Sequence, residues 1–339
     1  MKRVLVTAAQ LAISLALLWW IFHDPDKRAR MAEALRHADL WWLLPGLACL
    51  GGVILLQTQR WFLLLRAVDI SIDWLRCLRL LLIGMFFNLF LLGATGGDVV
   101  KIFYAMREAG RDKAGAFLSI AFDRVIGLLA LALVSAVVVA VEWHDLSRSP
   151  IAMGLVATIA FILGGSVAVV VVAAVVAILR LENRLPQRMP LRKAIVDLAV
   201  ATQRYAKAPG TLLAAFFLSI PSHLLLFTTF YFAARALMAQ LSLMGVLTVM
   251  PIVNVMTSLP ISFSGVGARE KLFEQLLGDL HGTPPELATL IGMGGYLMIV
   301  AWGLVGGLVY LTYRPSDGRT ASLKEMQAAT QDVAEHPAS

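Results

Sequence analysis

The chain is written in long uncharged runs separated by short charged intervals, and the runs are of two kinds. Six are continuous, at 4–22, 40–59, 116–141, 151–179, 211–234 and 287–313. Each is close to the roughly 20 apolar residues that a bilayer asks of a spanning helix. Two more, 80–97 and 236–268, are interrupted. The first interruption reads Asn88-Leu-Phe-Leu-Leu-Gly93-Ala-Thr-Gly96-Gly97-Asp98-Val-Val-Lys101. The second reads Asn254-Val-Met-Thr-Ser-Leu-Pro260-Ile-Ser-Phe-Ser-Gly265-Val-Gly267-Ala-Arg269-Glu270-Lys271. Each runs apolar, breaks at glycine and turns charged. Paired breaks, one in each half of a chain, are a sequence pointer to a transporter's binding site.

Composition sets the class and charge sets the topology. Hydrophobic residues make up 59% of 339 and charged ones 15%, with a mean hydropathy of +0.78. These values predict an all-α polytopic membrane protein. The net charge of +7 then reflects basic loops facing anionic headgroups rather than nucleic acid. Lys2 and Arg3 precede a run too long for a signal-peptide core, so the N-terminus is expected to stay as an anchor. Cys49 and Cys77 stand in or beside apolar segments without metal or disulfide spacing, and are expected to pack.

Arg180, Arg184, Arg188, Arg192, Lys193, Arg204 and Lys207 oppose only Glu182 and Asp197 between 180 and 207. The positive-inside rule puts that loop in the cytoplasm. Propagating from it, Glu142 to Ser149 lies outside, while Lys101, Arg107, Arg111 and Lys113 lie inside. Arg60, Arg66, Arg76 and Arg79, before the first broken run, are basic too and are assigned to the cytoplasmic side. A run with both flanks cytoplasmic cannot cross, so 80–97 is expected to be a re-entrant hairpin; the second broken run enters from the opposite face. The predicted fold is about six transmembrane helices plus two re-entrant helical hairpins in an inverted repeat. Residues 1–313 form one domain with halves 40–141 and 211–313, and 314–339 is a disordered polar cytoplasmic tail. Both termini are expected in the cytoplasm at the inner membrane. Loop 23–39 falls outside in this scheme although it carries Lys27, Arg28, Arg30 and Arg36.

Irregular backbone at membrane depth must be buried in protein or line a watery cavity. A helix beginning after Gly96 and Gly97, or after Gly265 and Gly267, aims free N–H groups and its positive dipole end there, which favours an anion. Arg269 supplies a fork for a phosphate and Lys101 a point charge. Asp98 and Glu270 are partners or caps. Asn88 and Asn254 introduce the two breaks, as packing groups or substrate contacts. Asp123 and Arg124 interrupt an otherwise uncharged stretch, and intramembrane charges are functional candidates. Adjacent helical residues point apart, so they need separate partners, with Lys101 expected for one and Asp98 or a phosphate for the other. His223 is a proton-relay candidate or a locally bonded histidine, and Arg235 is expected to snorkel to the outer interface.

Asn88, Gly97-Asp98-x-x-Lys101, Asp123-Arg124-x-x-Gly127 and Leu259-Pro260-x(4)-Gly265-x-Gly267-x-Arg269-Glu270 together resemble the transmembrane region of lysylphosphatidylglycerol synthases and their flippase-like relatives. The resemblance covers roughly residues 4–313. It implies a stand-alone membrane region without the synthase domain, acting on an anionic lipid passed between leaflets. Lys101 stands where many relatives carry arginine, so the charge is kept and the fork is lost. Three functions fit: a lipid translocase, an accessory subunit of lipid, glycan or hopanoid biosynthesis, or a membrane enzyme using Asp98, Asp123 or Glu270 as base. The inverted repeat favours the first, with no cofactor and no catalytic residue. Its partners would be a membrane lipid with an anionic headgroup (a phospholipid, a polyprenyl-phosphate-linked or another isoprenoid lipid) and lipid-biosynthesis enzymes.

Overall fold

The computed structural model describes residues 2–90, 96–109, 112–180, 192–258 and 265–315. The expected break tips with Gly93 and Pro260, the loop positions Arg184 and Arg188, and the tail from 316 lie outside them. The described chain forms thirteen α-helices: α1 (Lys2–Phe22), α2 (Pro25–Arg36), α3 (Leu43–Ala67), α4 (Trp74–Phe90), α5 (Gly96–Glu108), α6 (Lys113–Val141), α7 (Trp143–Leu146), α8 (Pro150–Ile178), α9 (Arg192–Tyr205), α10 (Pro209–Ala236), α11 (Leu243–Ser258), α12 (Ala268–His281) and α13 (Pro285–Thr312). A single 3-10 turn, Leu40–Trp42, leads into α3.

Local signals set the helix starts. Asp24 caps α2 ahead of Pro25, Ser149 caps α8 ahead of Pro150, and Asp112 accepts the Gly115 N–H at 2.8 Å at the start of α6. Proline at the first helical position loses no bond, because that N–H has no partner within the helix. Five helices are long and apolar enough to cross a bilayer: Leu40–Ala67, Gly115–Val141, Pro150–Ile178, Pro209–Ala236 and Pro285–Thr312. The chain is therefore an integral membrane protein. The remaining expected span, 4–22, falls in α1, whose described apolar stretch is Ala12–Phe22. The span expected at 40–59 runs on to Ala67, so Arg60 lies within it.

In the bundle α3 lies along α10, α4 along α13, and α6 along α10 and α11. The break pairs stay together, α4 against α5 and α11 against α12. With no hydrophobic force between helices in lipid, close approach depends on small residues. On α13 a Cβ at Gly306 would run into the Leu82 carbonyl of α4, and one at Gly307 would lie 2.7 Å from the Phe86 ring.

Polar contacts gather at the two ends of the bundle. At one, Arg76 pairs with Glu108, the Tyr313 hydroxyl donates to Glu108 Oε1 at 2.9 Å, and Arg204 reaches Asp112 at 2.9 Å. Burial, reinforced by that bond to Glu108, pushes the Tyr313 phenol up, which keeps it a donor. At the other end the Asp39 N–H donates to the Ala236 carbonyl at 2.8 Å, and Ser149 Oγ donates to Asp279 at 3.0 Å. Lys27 and Arg30 of α2 hold Glu274 and Glu286 there at 3.0 and 3.2 Å. Arg235 lies 5.0 Å from the centre of the Trp42 ring. Cys49 and Cys77 are free thiols, and Cys77 is packed in the core beside Trp61.

Candidate functional site

Three helices, α3, α5 and α6, bring charge to one place inside the bundle, and α10 adds a hydroxyl. Asp123 lies ten residues into α6, about 15 Å along its axis. Its carboxylate takes two hydrogen bonds from Arg60 of α3, Nε to Oδ1 at 2.6 Å and Nη2 to Oδ2 at 3.0 Å. The third guanidinium nitrogen donates to Ser219 Oγ of α10 at 2.9 Å. Arg60 is 7% exposed, Lys101 5% and Asp123 4%, and charges so buried persist only when paired and hydrogen-bonded.

Lys101 of α5 is held more loosely. Its Nζ is 4.0 Å from Asp123 Oδ2 and 4.1 Å from the centre of the Trp61 ring, a cation–π contact. The Trp61 indole N–H is anchored on Ser119 Oγ at 3.1 Å. On the other side of α6, Arg124 pairs with Asp98 in the first turn of α5. That side chain is 60% exposed. The cluster thus holds Arg60, Lys101 and Arg124 against Asp98 and Asp123, beside a helix N-terminus.

The break places these groups. Gly97 Cα lies so close to α4 that a Cβ would strike the Gly84 carbonyl and the Asn88 side chain. Asn88 Oδ1 accepts the Gly97 N–H at 2.7 Å, so Asn88 closes the break. With α5 pressed against α4, Lys101 sits one turn in and turned to α6. Gly127, a turn beyond Asp123, leaves room for the guanidinium, since a Cβ there would lie 3.3 Å from Arg60 Nη1. Its carbonyl accepts the His223 Nε2–H at 3.0 Å, a local bond for that histidine.

The second break is organised differently. Gly265 and Gly267 both have positive φ, +76° and +83°, where side chains are strained and glycine is not. Glu270 reaches back to accept the Gly267 N–H at 2.7 Å, capping its own helix α12. Arg269 is buried, its guanidinium 4.4 Å from the centre of the Tyr296 ring of α13, and a Cβ at Gly265 would lie 3.1 Å from its Nη2. Gly267 packs on α1, where a Cβ would lie 2.6 Å from Leu17 Cβ. Lys271 lies over the Trp20 ring at 3.8 Å and reaches Glu274 at 3.3 Å. Asn254 is half-buried on α11.

A family model for the lysylphosphatidylglycerol synthase TM region matches residues 7–314. The chain belongs to that family. It is also similar to a UPF0104 membrane protein of Pyrococcus horikoshii, with 24% identity over 131 residues, 38% of each chain. The match spans well under two thirds of that relative. No solved structure matches the chain.

In this member of the lysylphosphatidylglycerol synthase TM-region family, the candidate residues from sequence thus fall into two groups. Asn88, Gly96, Gly97, Asp98, Lys101, Asp123 and Arg124 surround the first break, with Gly96 opening α5. Asn254, Gly265, Gly267, Arg269 and Glu270 surround the second. Of the two partners expected, Asp98 or a phosphate, Arg124 has Asp98. The partner expected for Asp123 was Lys101, but its tighter partner is Arg60, which sequence reasoning had assigned to a cytoplasmic interval. A signal was available: five apolar residues, Trp61 to Leu65, separate Arg60 from Arg66, so the span does not stop at Gln59. Ser219 and Trp61 had no signal, because a serine and a tryptophan in apolar helices are ordinary. Among the described residues no three His, Cys, Asp or Glu side chains gather to hold a metal.

Proposed function

We propose that the chain is a lipid translocase that moves a lipid with an anionic headgroup between the leaflets of the cytoplasmic membrane. The observation that carries this reading is the surplus of positive charge in the first cluster. Three cations meet two carboxylates where α5 packs on the spanning helices α3 and α6, the buried ones being Arg60 and Lys101 against Asp123, and the loosely held Lys101 stands in the first turns of α5. A buried surplus of one sign is unfavourable until a counter-charge enters, and a headgroup phosphate supplies one while its chains stay in the bilayer. In this reading no bond is made or broken, both termini are cytoplasmic, and Arg269 serves a second face of the path.

The helix pairings support an inverted repeat. Exchanging α3, α4, α5 and α6 for α10, α11, α12 and α13 turns each inter-repeat pairing into another that is present: α4 with α13 into α11 with α6, and α10 with α6 into α3 with α13. The α4–α5 pair opens at the end with Glu108 and Tyr313, and the α11–α12 pair at the end with Asp279 and Glu274. Six spans with two hairpins of opposite entry fit these contacts. A repeat of this kind provides two matched gates, which alternating access uses and which a scaffold or group-transfer enzyme would not need.

The test is translocation of fluorescent lipids in proteoliposomes, with an anionic phospholipid, a zwitterionic one and a polyprenyl phosphate, for wild type, Lys101→Ala and Arg269→Ala. The expected result is movement of one anionic class, lost in Lys101→Ala and impaired in Arg269→Ala. Equal movement of the zwitterionic lipid, or undiminished movement in both variants, would overturn the reading. If folded wild-type protein moved no lipid, the accessory-subunit reading would take its place.

A further inference from the structure

The exchange of helices that supports a repeat reaches beyond the breaks. It carries α1 and α2 onto α8 and α9, and it turns the pairing of α2 with α13 into that of α9 with α6, which is present. The correspondence stops at the preceding helices, since α1 and α8 both pack on α12. Neither α2 nor α9 is apolar enough to cross: six of the 12 residues of α2 are charged, and four of the 14 of α9. Helices so charged belong at the membrane surface. They stand at opposite ends of the bundle. α9 runs into the start of α10, whereas α2 leads to Asp39, whose N–H holds the carbonyl of Ala236, the last residue of α10.

Each of these two helices is fastened by an arginine to the acid that starts the last helix of a half. Arg204 of α9 lies 2.9 Å from Asp112, the cap of α6, and Arg30 of α2 lies 3.2 Å from Glu286 in the first turn of α13. The side chains of Arg204, Asp112 and Arg30 are all at least 40% exposed, and ion pairs so open to solvent are weak. Beneath the fastening, buried side chains reach into the bundle. Tyr205 of α9 is fully buried, its ring stacked at 4.6 Å on Phe122, the neighbour of Asp123, and packed with Leu64 of α3 and Ala215 of α10. α9 therefore covers the first cluster from its end. Lys27 of α2 is 7% exposed and holds Glu274 at 3.0 Å on α12, the helix that begins at the second break. α2 therefore covers the second break.

Neither closure is complete. Among the described residues the Tyr205 hydroxyl and Glu286 Oε2 are buried without a hydrogen-bond partner. A buried polar atom left in that way is unfavourable, and lifting the strap would bring it water. A weak fastening over an unfavourable contact is suited to release. The two ends are also mechanically joined, because α6 and α13 both pack on α3 and α10. Rocking these rigid helices opens one end as it closes the other.

We propose that α2 and α9 are paired straps that release alternately, with Arg204 on Asp112 closing the end that leads to the first break and Arg30 on Glu286 closing the end that leads to the second. The assignment rests on the translocase reading and deepens it, by naming its two gates.

The experiment follows hydrogen exchange by mass spectrometry in the full chain in nanodiscs, for wild type, Arg30→Ala and Arg204→Ala. Each variant should speed exchange in its own strap by up to about fivefold, the worth of one exposed ion pair, and slow exchange in the other strap. Arg30→Lys and Arg204→Lys, which keep the charge, should match wild type. Loosening confined to the mutated strap, with the other unchanged, would show two separate surface salt bridges and overturn the proposal. The second measurement joins Arg30→Cys to Glu286→Cys, or Asp112→Cys to Arg204→Cys, with a thiol-cleavable crosslinker, after Cys49→Ala and Cys77→Ala remove the two free thiols. Either lock alone should stop lipid movement, and a reductant should return it; the same variants before crosslinking report any damage to the fold. Movement that continues through either lock would overturn the proposal and leave the translocase reading standing. Reciprocal exchange in a protein that moves no lipid would do the reverse.

Discussion

The two broken helix pairs have nearly the same dimensions and different chemistry. α4 and α5 run 17 and 13 residues, and α11 and α12 run 16 and 14. Around the first break the charges are tied across the bundle: Asp123 to Arg60, Arg124 to Asp98, Lys101 to Trp61. Around the second, Glu270 caps the backbone of its own Gly267 and Arg269 lies against the Tyr296 ring. Long-range ties make the first break responsive to movement between α3, α5, α6 and α10. At the second, α1 and α2 dock through Leu17 on Gly267, Trp20 under Lys271 and Lys27 on Glu274. The first break is therefore held mainly by charge and the second mainly by packing.

The comparison is broken most severely by taking the carboxylate from the first cluster. Asp123→Ala leaves Arg60 buried without its partner, and breaking such a pair costs about 3–5 kcal/mol. Thermal unfolding in detergent should show the loss. Arg60→Met combined with Asp123→Leu should recover much of the stability, and still abolish lipid movement. Next is Gly97→Leu, which drives a side chain into α4. Overpacking of this kind costs about 1–3 kcal/mol, and it should also open the break, seen as faster hydrogen exchange at Gly97. Glu270→Ala removes a cap and should cost about 1 kcal/mol, confined to α12 by hydrogen exchange; an effect spreading to α5 would show the two breaks to be alike after all. The smallest structural effect is expected for the exposed Arg124→Ala, within about 0.5 kcal/mol, yet translocation of the anionic lipid should fall. Unchanged translocation there would confine the anion site to Lys101.

Much of this was legible along the chain. The continuous runs at 116–141, 151–179, 211–234 and 287–313 became helices with ends within three residues of those expected, because bilayer thickness and backbone satisfaction leave apolar sequence one solution. Glycine before charge marked both helix starts, at Gly96 and Gly267, and of the two roles expected for Glu270, partner or cap, it is the cap. That Asp123 and Arg124 need separate partners was legible from their adjacency, and Asp98 was one of the two partners it left open. Arg60 was misread because charge patterning treats an arginine near the end of an apolar run as a loop residue, and nothing local shows that a carboxylate 63 residues later will meet it.

The sequence by itself determined what short-range physics decides: which segments are helical, which are apolar enough for lipid, and where glycine interrupts them. Only the tertiary structure decided which charges meet, that Lys101 is the loosely held cation, and that Glu270 rather than Asp98 caps its own helix. Those outcomes depend on how helices distant in sequence are rotated and packed against each other. A helix's own residues fix its faces, whereas the partner for each face comes from the rest of the bundle.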